Sequence, residues 1–171
     1  MANEIELKFL EIDKKKILAK LKSLKAKKTF EGKIEAIYFD YPDGRIKKGK
    51  SLLRLRTKGE NAEFTFKKNV RNEKYKEKKE FEVITDDFKT LRQILGLMGF
   101  VETSHYTKHR QSFSVGDFHV EIDKYPDIPL FAELETKSRK SMKNAVKLMG
   151  LKIEDGKPWT RRDVLEYYSK M

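Results

Sequence analysis

The feature that most constrains this chain is a set of short strands in which charged residues alternate with apolar ones. The first is Glu4-Ile5-Glu6-Leu7-Lys8, close to the start of the chain. Successive residues of a strand point to opposite faces, so Glu4, Glu6 and Lys8 share one face and the apolar residues share the other. For any one strand of this kind, charges that simply face water are the ordinary interpretation.

The same alternation recurs in other predicted strands, and acids and bases are segregated between them. Scattered surface salt bridges do not need acids paired at i and i+2 in several separate strands. We therefore predict an α+β fold, an eight-stranded antiparallel β-barrel with a charged interior and helices packed outside. The further charged sets are the acids Glu80 and Glu82, Glu121 and Asp123, and Glu133 and Glu135, and the mainly basic Arg54 and Arg56, Thr65 and Lys67, and Lys108, Arg110 and Ser112.

Apolar periodicity and turn residues place about eight strands and four helices along the chain. We expect the first strand to end near Leu10 and the others to cover residues 29–41, 51–58, 62–68, 80–84, 100–113, 118–124 and 131–136. Helices are predicted from an Asp13 cap to about residue 27, from Asp86 or Asp87 to Gly99, from Ser138 to Gly150, and over about 160–168. The charged run 69–79 is predicted to be an exposed connection.

The length of the chain bounds its organisation. A chain of 171 residues can bury a sizeable core without disulfides, and this one contains no cysteine. We therefore expect residues 1–171 to form a single domain. The chain opens on a charged strand, and none of its segments has the apolar length needed to span a bilayer, so we expect a cytoplasmic protein.

The net charge of +12 favours a polyanionic partner: nucleic acid, an anionic membrane surface or a small phosphate compound. Charge alone does not choose among these, and Lys-rich stretches such as Lys14 to Lys28 are typical of solvated surface. The sequence lacks a recognition motif with aromatic residues interleaved among bases on an exposed sheet face, which disfavours RNA. We also expect no membrane association.

The charged faces suit one class of ligand. Clustered carboxylates are hard oxygen ligands for Mg²⁺ or Mn²⁺, and like charges at that density need a cation in a confined space. Rows of Arg and Lys beside them can bind phosphate oxygens, with Arg offering two parallel hydrogen bonds. A divalent ion that joins acidic strands to a polyphosphate on basic strands is the recurring layout for phosphoryl transfer. The sequence therefore predicts a metal-bound triphosphate as substrate.

The ordered set of motifs resembles a known family. Glu4-Ile5-Glu6-Leu7-Lys8 is similar to the ExExK signature of the CYTH superfamily, or triphosphate tunnel metalloenzymes, which includes class IV adenylyl cyclases, thiamine triphosphatases and inorganic triphosphatases. The segment Pro126-Asp127-Ile128-Pro129 is similar to the class IV cyclase-like branch. The other matching motifs are Tyr38-Phe39-Asp40, Leu53-Arg54-Leu55-Arg56, Thr65-Phe66-Lys67, Glu80-Phe81-Glu82, Lys108-His109-Arg110, Val120-Glu121-Ile122-Asp123 and Ala132-Glu133-Leu134-Glu135.

The resemblance implies an eight-stranded tunnel with a two-metal site, and it assigns roles to single residues. Glu80 and Glu82 would orient the basic residues. The segment Trp159 to Tyr168 is similar to one that closes a tunnel mouth in some relatives, but Arg161 and its two successors depart from the apolar version, which leaves that role open. The implied metal ligands are Glu4, Glu6, Glu133 and Glu135, with Asp123 and Glu121 completing the site, and the implied phosphate-binding residues are Lys8, Arg54, Arg56, Lys67, Lys108 and Arg110.

These observations lead to a Mg²⁺- or Mn²⁺-dependent enzyme acting on ATP, thiamine triphosphate or tripolyphosphate. The leading hypothesis is class IV adenylyl cyclase-like conversion of ATP to cyclic AMP and pyrophosphate. The alternatives are a triphosphatase that releases orthophosphate and a non-catalytic module that binds polyphosphate or nucleotides. Lys67 is the candidate catalytic base if neighbouring cations lower its pKa. A homodimer is compatible with the sequence.

Overall fold

A closed barrel of eight antiparallel strands forms the centre of the molecule. The computed structural model describes residues 2–70 and 76–170, with side chains for 4–68 and 79–170. The strands are β1 (Ala2–Phe9), β2 (Lys27–Asp40), β3 (Ser51–Lys58), β4 (Asn61–Val70), β5 (Lys76–Thr85), β6 (Val101–Val115), β7 (Phe118–Lys124) and β8 (Phe131–Thr136). Their order around the barrel is β1-β5-β4-β3-β2-β6-β7-β8, and β1 pairs with both β5 and β8 to close it. The predicted fold class is confirmed.

Helices flank this barrel, and side-chain caps start several of them. The Asp13 carboxylate accepts hydrogen bonds from the backbone N–H groups of Lys15 and Lys16, and Ser138 Oγ accepts one from Ser141. None of the described helices is long and apolar enough to cross a membrane. The helices are α1 (Lys14–Ser23), α2 (Arg45–Lys48), α3 (Phe88–Leu97), α4 (Arg139–Met149) and α5 (Arg161–Ser169), with a short 3-10 helix at Ile153–Asp155.

Two of the predicted boundaries need correction. Helix α1 ends at Ser23 and not near residue 27, because Lys25 adopts a left-handed conformation with φ of 54° and β2 begins at Lys27. The exposed connection predicted for 69–79 is largely strand, since β4 extends to Val70 and β5 begins at Lys76. Residues 71–75 of that prediction lie outside the described residues.

Helix α2 was not predicted, and a buried carboxylate explains why it forms. Asp40, at the end of β2, accepts hydrogen bonds from the backbone N–H groups of Tyr41, Ile46 and Lys47. Burial opposes the charged form, but these three donors outweigh it and lower the pKa of Asp40. A helix of four residues has little stability of its own, so this contact across the turn is what holds it.

The apolar faces of the strands pack outward under the helices, as predicted. Leu7 of β1 lies in one buried cluster with Leu21 of α1 and Met142 of α4. A second cluster joins Leu55 of β3 to Leu95 of α3. Strand β5 differs, because its apolar residues Phe81, Val83 and Ile84 are 47%, 60% and 69% exposed. The helices therefore cover the barrel unevenly.

The C-terminal segment packs against one end of the barrel. Val164 of α5 is fully buried in a cluster with Tyr125, Ile128 and Phe131, which lie where β7 ends and β8 begins. Upstream of α5, the backbones of Lys8 and Lys157 exchange two hydrogen bonds of 2.9 and 2.8 Å. These contacts fix α5 beside the strand that carries Glu4 and Glu6.

Candidate metal and phosphate site

The inward faces of the strands enclose a cavity of about 1010 Å³. Each site residue predicted from the sequence lines this cavity, with the exception of Asp123. Strand alternation explains the result, because the apolar partners of these residues point outward into the clusters under the helices. The lining therefore brings predicted metal ligands and predicted phosphate-binding residues together: Glu4, Glu6, Glu121, Glu133 and Glu135 with Lys8, Arg54, Arg56, Lys67, Lys108 and Arg110.

Three of the carboxylates form a compact acidic triad, Glu4, Glu6 and Glu135. Each can offer an oxygen that lies within 4.8 Å of the others. Glu6 and Glu135 are direct cross-strand partners in the pairing of β1 with β8. Glu4 lies two residues before Glu6, on the same face of β1. Glu4 Oε1 is buried and has no hydrogen-bond partner among the described residues. This set of hard oxygen donors fits Mg²⁺ or Mn²⁺.

The electrostatics of the triad also favour a cation. Burial, followed by the carboxylates of Glu133 and Glu121, raises the pKa of Glu135 to about 7. Burial and then Glu135 likewise raise the pKa of Glu4. Confined carboxylates thus hold protons well above their ordinary range, because their charges repel one another in a poorly hydrated space. A divalent ion would replace those protons.

Two further carboxylates that line the cavity, Glu121 and Glu133, contact its basic residues. Glu133 accepts a hydrogen bond of 2.7 Å from Lys8 Nζ and lies 3.4 Å from Arg110 Nη2. Glu121 accepts a hydrogen bond from Ser112 and lies 3.3 Å from Arg110 Nε. Their role as metal ligands stays a prediction.

Asp123, a predicted metal ligand, does not line the cavity. It is 1% exposed and accepts hydrogen bonds from Lys108 Nζ at 2.6 Å and from Arg110 Nε and Nη2 at 2.6 and 2.7 Å. Burial opposes its charge, but Arg110 and Lys108 outweigh burial and lower the pKa of Asp123. Because the strand register places Arg110 opposite Asp123, Asp123 anchors two cations. The structure thus places it apart from the triad.

Several basic residues of the cavity are held by nearby carboxylates. Lys8 Nζ lies 3.0 Å from Glu6 and 2.7 Å from Glu133. Although burial disfavours its charge, Glu133 and Glu6 raise the pKa of Lys8. Arg56 is bound by Glu63. Such pairing presents guanidinium and ammonium groups in fixed positions along the wall.

The environment of Lys67 corrects the reason for predicting it as a base. Its Nζ lies 2.6 Å from Glu4 and 2.9 Å from Glu80, so its neighbours are anions and not the cations that were expected. Elsewhere in the cavity, burial and Arg110 lower the pKa of Lys108 to about 8. The predicted orienting role of Glu80 agrees with its contact to Lys67.

An aromatic end of the cavity escaped the sequence analysis. The rings of Tyr38 and Tyr106 stack with centres 5.9 Å apart, and their hydroxyls lie 3.3 Å apart. The guanidinium carbon of Arg161 lies 4.1 Å from the centre of Tyr106 and 5.3 Å from that of Tyr125. Alternation could have revealed Tyr106, which precedes Lys108 by two residues on the same face. The resemblance of Trp159 to Tyr168 to a segment that closes a tunnel mouth points to this end of the barrel, but no local pattern places Arg161 over Tyr106.

A family model described as CYTH domain matches residues 2–152. The chain belongs to the CYTH family. Among its relatives, "Putative adenylate cyclase MJ0240" of Methanocaldococcus jannaschii is 33% identical over 135 residues, which are 77% of this chain and 75% of that protein. The match leaves α5 and Arg161 outside the family model. The assignment of all 171 residues to one domain stays a prediction.

Solved structures share the fold of this CYTH protein. One from Vibrio parahaemolyticus, described as a "putative adenylate cyclase", has a TM-score of 0.82 at 18% identity and covers 96% of this chain and 98% of its own. Another, from Hippeastrum, is described as a "putative adenylyl cyclase" that reveals a dominant triphosphatase activity. It has a TM-score of 0.62 at 15% identity and covers 98% of this chain and 96% of its own. At these identities the likeness concerns the fold alone.

Proposed function

We propose that this CYTH protein is a divalent-metal-dependent enzyme that acts on a triphosphate. One observation carries the proposal: Glu4, Glu6 and Glu135 bring oxygens within 4.8 Å of one another in the same cavity that Lys8, Arg56 and Arg110 line. Cation-binding and phosphate-binding groups thus share one enclosed space. The 33% identical relative named as an adenylate cyclase supports an enzyme of this class.

We assign metal binding to the acidic residues of the cavity and phosphate binding to its basic residues. Glu4, Glu6 and Glu135 would hold Mg²⁺ or Mn²⁺, which when bound neutralises phosphate charge and polarises the phosphorus under attack. Arg110 and Lys8 would bind phosphate oxygens, with their positions fixed by Glu121 and Glu133. The preset donors stabilise charge that develops on the leaving phosphate oxygens without reorganising during the reaction. Lys67, which forms ion pairs with Glu4 and Glu80, would connect the acidic triad to the phosphate-binding wall.

Our leading reaction is cyclisation of ATP. The ribose 3′-hydroxyl would lose its proton to water and attack the α-phosphorus, the bond from that phosphorus to the oxygen that bridges it to the β-phosphorus would break, and cyclic AMP and pyrophosphate would form. The name of the M. jannaschii relative supports this choice. The phosphate-binding wall would hold pyrophosphate as it leaves, since Arg and Lys bind two linked phosphates better than one.

Hydrolysis is the second candidate, and the lining of the cavity favours it in one respect. The aromatic faces of Tyr106 and Tyr125 are covered by Arg161, so they do not present an open platform for a purine. A triphosphatase needs only the phosphates to be held, with water attacking the terminal phosphorus to release orthophosphate. The Hippeastrum protein carries both names on this fold.

One experiment separates the reactions. Purified protein is incubated with ATP, thiamine triphosphate or tripolyphosphate and with Mg²⁺ or Mn²⁺, and the products are identified. Cyclic AMP with pyrophosphate selects the cyclase, and orthophosphate selects the triphosphatase. Metal-dependent binding without any product would overturn the proposed enzyme in favour of a non-catalytic binding module. The cytoplasmic location and the homodimer stay predictions.

The acidic triad is tested by neutral variants. Glu6→Gln and Glu135→Gln should abolish turnover while circular dichroism and the melting temperature show a folded protein. Glu154→Gln, at an exposed position of the 3-10 helix, is the matched control and should retain wild-type turnover. Turnover near the wild-type rate in both triad variants would contradict the metal assignment.

A further inference from the structure

Two arginines in the cavity carry buried donors with no acceptor. Among the side chains that the structure describes, the buried N–H groups without a hydrogen-bond partner are Arg54 Nε and Arg161 Nε. Both residues line the cavity. Buried polar groups are nearly always hydrogen-bonded, because an unpaired donor loses its interactions with water and gains nothing in return. A ligand that supplies acceptors would explain both.

The two arginines lie at a stacked pair of tyrosines, Tyr38 and Tyr106. The Arg161 guanidinium carbon lies 4.1 Å from the centre of Tyr106, whose hydroxyl is 3.3 Å from that of Tyr38. Arg54 is the direct cross-strand partner of Tyr38 in the pairing of β2 with β3, and it donates one hydrogen bond of 3.3 Å, to Thr65. Two guanidinium groups from different parts of the fold are thus brought to one end of the cavity.

The charge around these arginines is unbalanced. Within the described residues, no ion pair joins Arg54 or Arg161 to a carboxylate, in contrast to Lys8 and Arg110. Lys108 adds a third cation, with its Nζ 5.6 Å from the centre of Tyr125, and its partner Asp123 is shared with Arg110. The aromatic end is therefore an electropositive site with free donors, which is the environment that an anion requires.

Among the described side chains, the cavity contains both an unpaired acceptor and unpaired donors, and they belong to different groups of residues. The acidic triad has an unpaired acceptor at Glu4 Oε1, whereas Arg54 and Arg161 have unpaired donors. A metal-bound oligophosphate has the matching polarity, with a cation at one part of the ligand and bare phosphate oxygens at another. A purine does not match as well, because the guanidinium already covers the face of Tyr106 and leaves its N–H edge free.

We infer that Arg161 is a substrate-binding residue which, with Arg54, forms an anion subsite for a phosphate group of the substrate. The inference rests on the proposed triphosphate substrate. It adds a substrate-binding residue from outside the region that the family model matches. Helix α5 then has two roles: Val164 anchors it on the barrel, and Arg161 contacts the ligand. The competing explanation is structural, with Arg161 stacking on Tyr106 only to hold α5 in place.

A binding experiment separates these explanations. Tripolyphosphate is titrated into the full chain by calorimetry in EDTA, so that no metal-dependent turnover occurs. Arg161→Gln should weaken binding about 10- to 100-fold, the loss expected when one charge-assisted hydrogen-bonding group is removed. Arg161→Lys keeps the charge but loses the planar guanidinium. Its affinity for tripolyphosphate should therefore lie between those of the wild type and Arg161→Gln. The matched control is Arg162→Gln, an exposed arginine of the same helix, which should change affinity less than about twofold.

The single tryptophan of the chain provides a second readout. Trp159 lies two residues before Arg161 and packs on Tyr167 with ring centres 5.3 Å apart. Tripolyphosphate should change its fluorescence in the wild type and in Arg162→Gln but not in Arg161→Gln. Circular dichroism and melting temperature check that each variant is folded. If Arg161→Gln is not folded, Arg161→Lys replaces it in the comparison.

The outcomes are distinguishable from failure of the proposed function. Unchanged tripolyphosphate affinity in Arg161→Gln, an equal loss in Arg162→Gln, or no binding by the wild type would overturn the subsite. Weaker binding of ATP with unchanged binding of tripolyphosphate would show instead that Arg161 contacts the base, which also overturns it. The expected pattern in a protein that turns over no triphosphate would support the subsite and contradict only the proposed enzyme.

Discussion

Lys67 of β4 and Glu4 of β1 form an ion pair of 2.6 Å although β5 lies between their strands. Their side chains are 8% and 12% exposed, and Lys67 also lies 2.9 Å from Glu80 of β5. The contact joins the acidic triad to the basic wall through the interior and not along the sheet. In the metal-free protein, each of these charges depends on the others for neutralisation.

We expect Lys67→Met to lower the free energy of unfolding by about 3 kcal/mol, because removing one partner leaves buried carboxylates uncompensated. Glu4→Gln should cost less, since it also removes one of the repelling carboxylates. In the double variant the losses should not add, and urea denaturation in EDTA measures the coupling. Lys14→Met, at an exposed position of α1, is the control and should change stability by less than about 0.5 kcal/mol. Additive losses would show that the pair is not coupled.

The raised pKa of Glu135, about 7, predicts how metal-free stability depends on pH. The folded protein holds a proton on this carboxyl that the unfolded chain releases near its ordinary pKa of 4.5. The resulting stabilisation is complete below that value and is lost as the pH rises through about 7. The difference in melting temperature between wild type and Glu135→Gln in EDTA should therefore move in favour of the variant from pH 5 to pH 8. A difference independent of pH would refute the assignment.

Metal binding should act in the opposite direction. Mn²⁺ binds the deprotonated carboxylates, so it should raise the wild-type melting temperature more at pH 8 than at pH 5. Glu135→Gln should lose most of this increase, and Glu154→Gln should keep it. Calorimetry in two buffers of different ionisation enthalpy should detect proton release on Mn²⁺ binding to the wild type. Metal stabilisation that is equal in both variants would place the ion elsewhere.

Asp123→Asn separates the anchor role of this residue from metal binding. The substitution leaves Lys108 and Arg110 without their shared carboxylate in a buried site, and we expect a loss of about 3–5 kcal/mol in unfolding free energy. Affinity for Mn²⁺ should stay within a few-fold of the wild type, because Asp123 lies outside the triad. Measurement at low temperature, where the variant is folded, keeps the comparison valid. Loss of Mn²⁺ binding in a folded variant would restore Asp123 as a ligand.

Asp40→Asn tests the anchor of α2. An amide can accept the hydrogen bonds of Tyr41, Ile46 and Lys47 only weakly, and we expect a loss of about 1–3 kcal/mol at pH 7. The pKa of Asp40 is lowered, so its contribution is present above the ordinary value of 3.8 and disappears as the pH falls through the folded value. The two proteins should therefore converge in stability as the pH falls through the lowered pKa of Asp40. Urea denaturation across this range measures the difference in unfolding free energy. A difference that does not change with pH would contradict the assignment.

The inward charged faces could be predicted because strand alternation is a local property. Arg54 and Arg110 appear on the cavity side for the same reason that Leu55 and Ile122 appear beneath helices. The division of the acids could not be predicted, because it depends on register. Glu135 faces Glu6 whereas Asp123 faces Arg110, and no pattern within a single strand encodes either pairing.

Tertiary contacts explain the remaining differences. The cationic neighbours expected for Lys67 are carboxylates instead, because its partners come from β1 and β5, which are distant in sequence from one another. Arg161 was noted as a departure from an apolar helix, yet its position over Tyr106 follows from the way in which Val164 packs on the barrel. Such contacts arise only when the whole fold is assembled.

The position of β1 between β5 and β8 has a consequence for the order of folding. Glu6 is synthesised long before its cross-strand neighbour Glu135, because β1 precedes β8 in the chain. Until β8 is synthesised, one edge of β1 remains unpaired and can associate with strands of other nascent chains. Long-range pairing of this kind slows folding, since the ends of a long loop must meet before the contact stabilises them. The acidic triad is therefore assembled at the step that closes the barrel, and a chain terminated before β8 would carry two of its three carboxylates on an exposed edge.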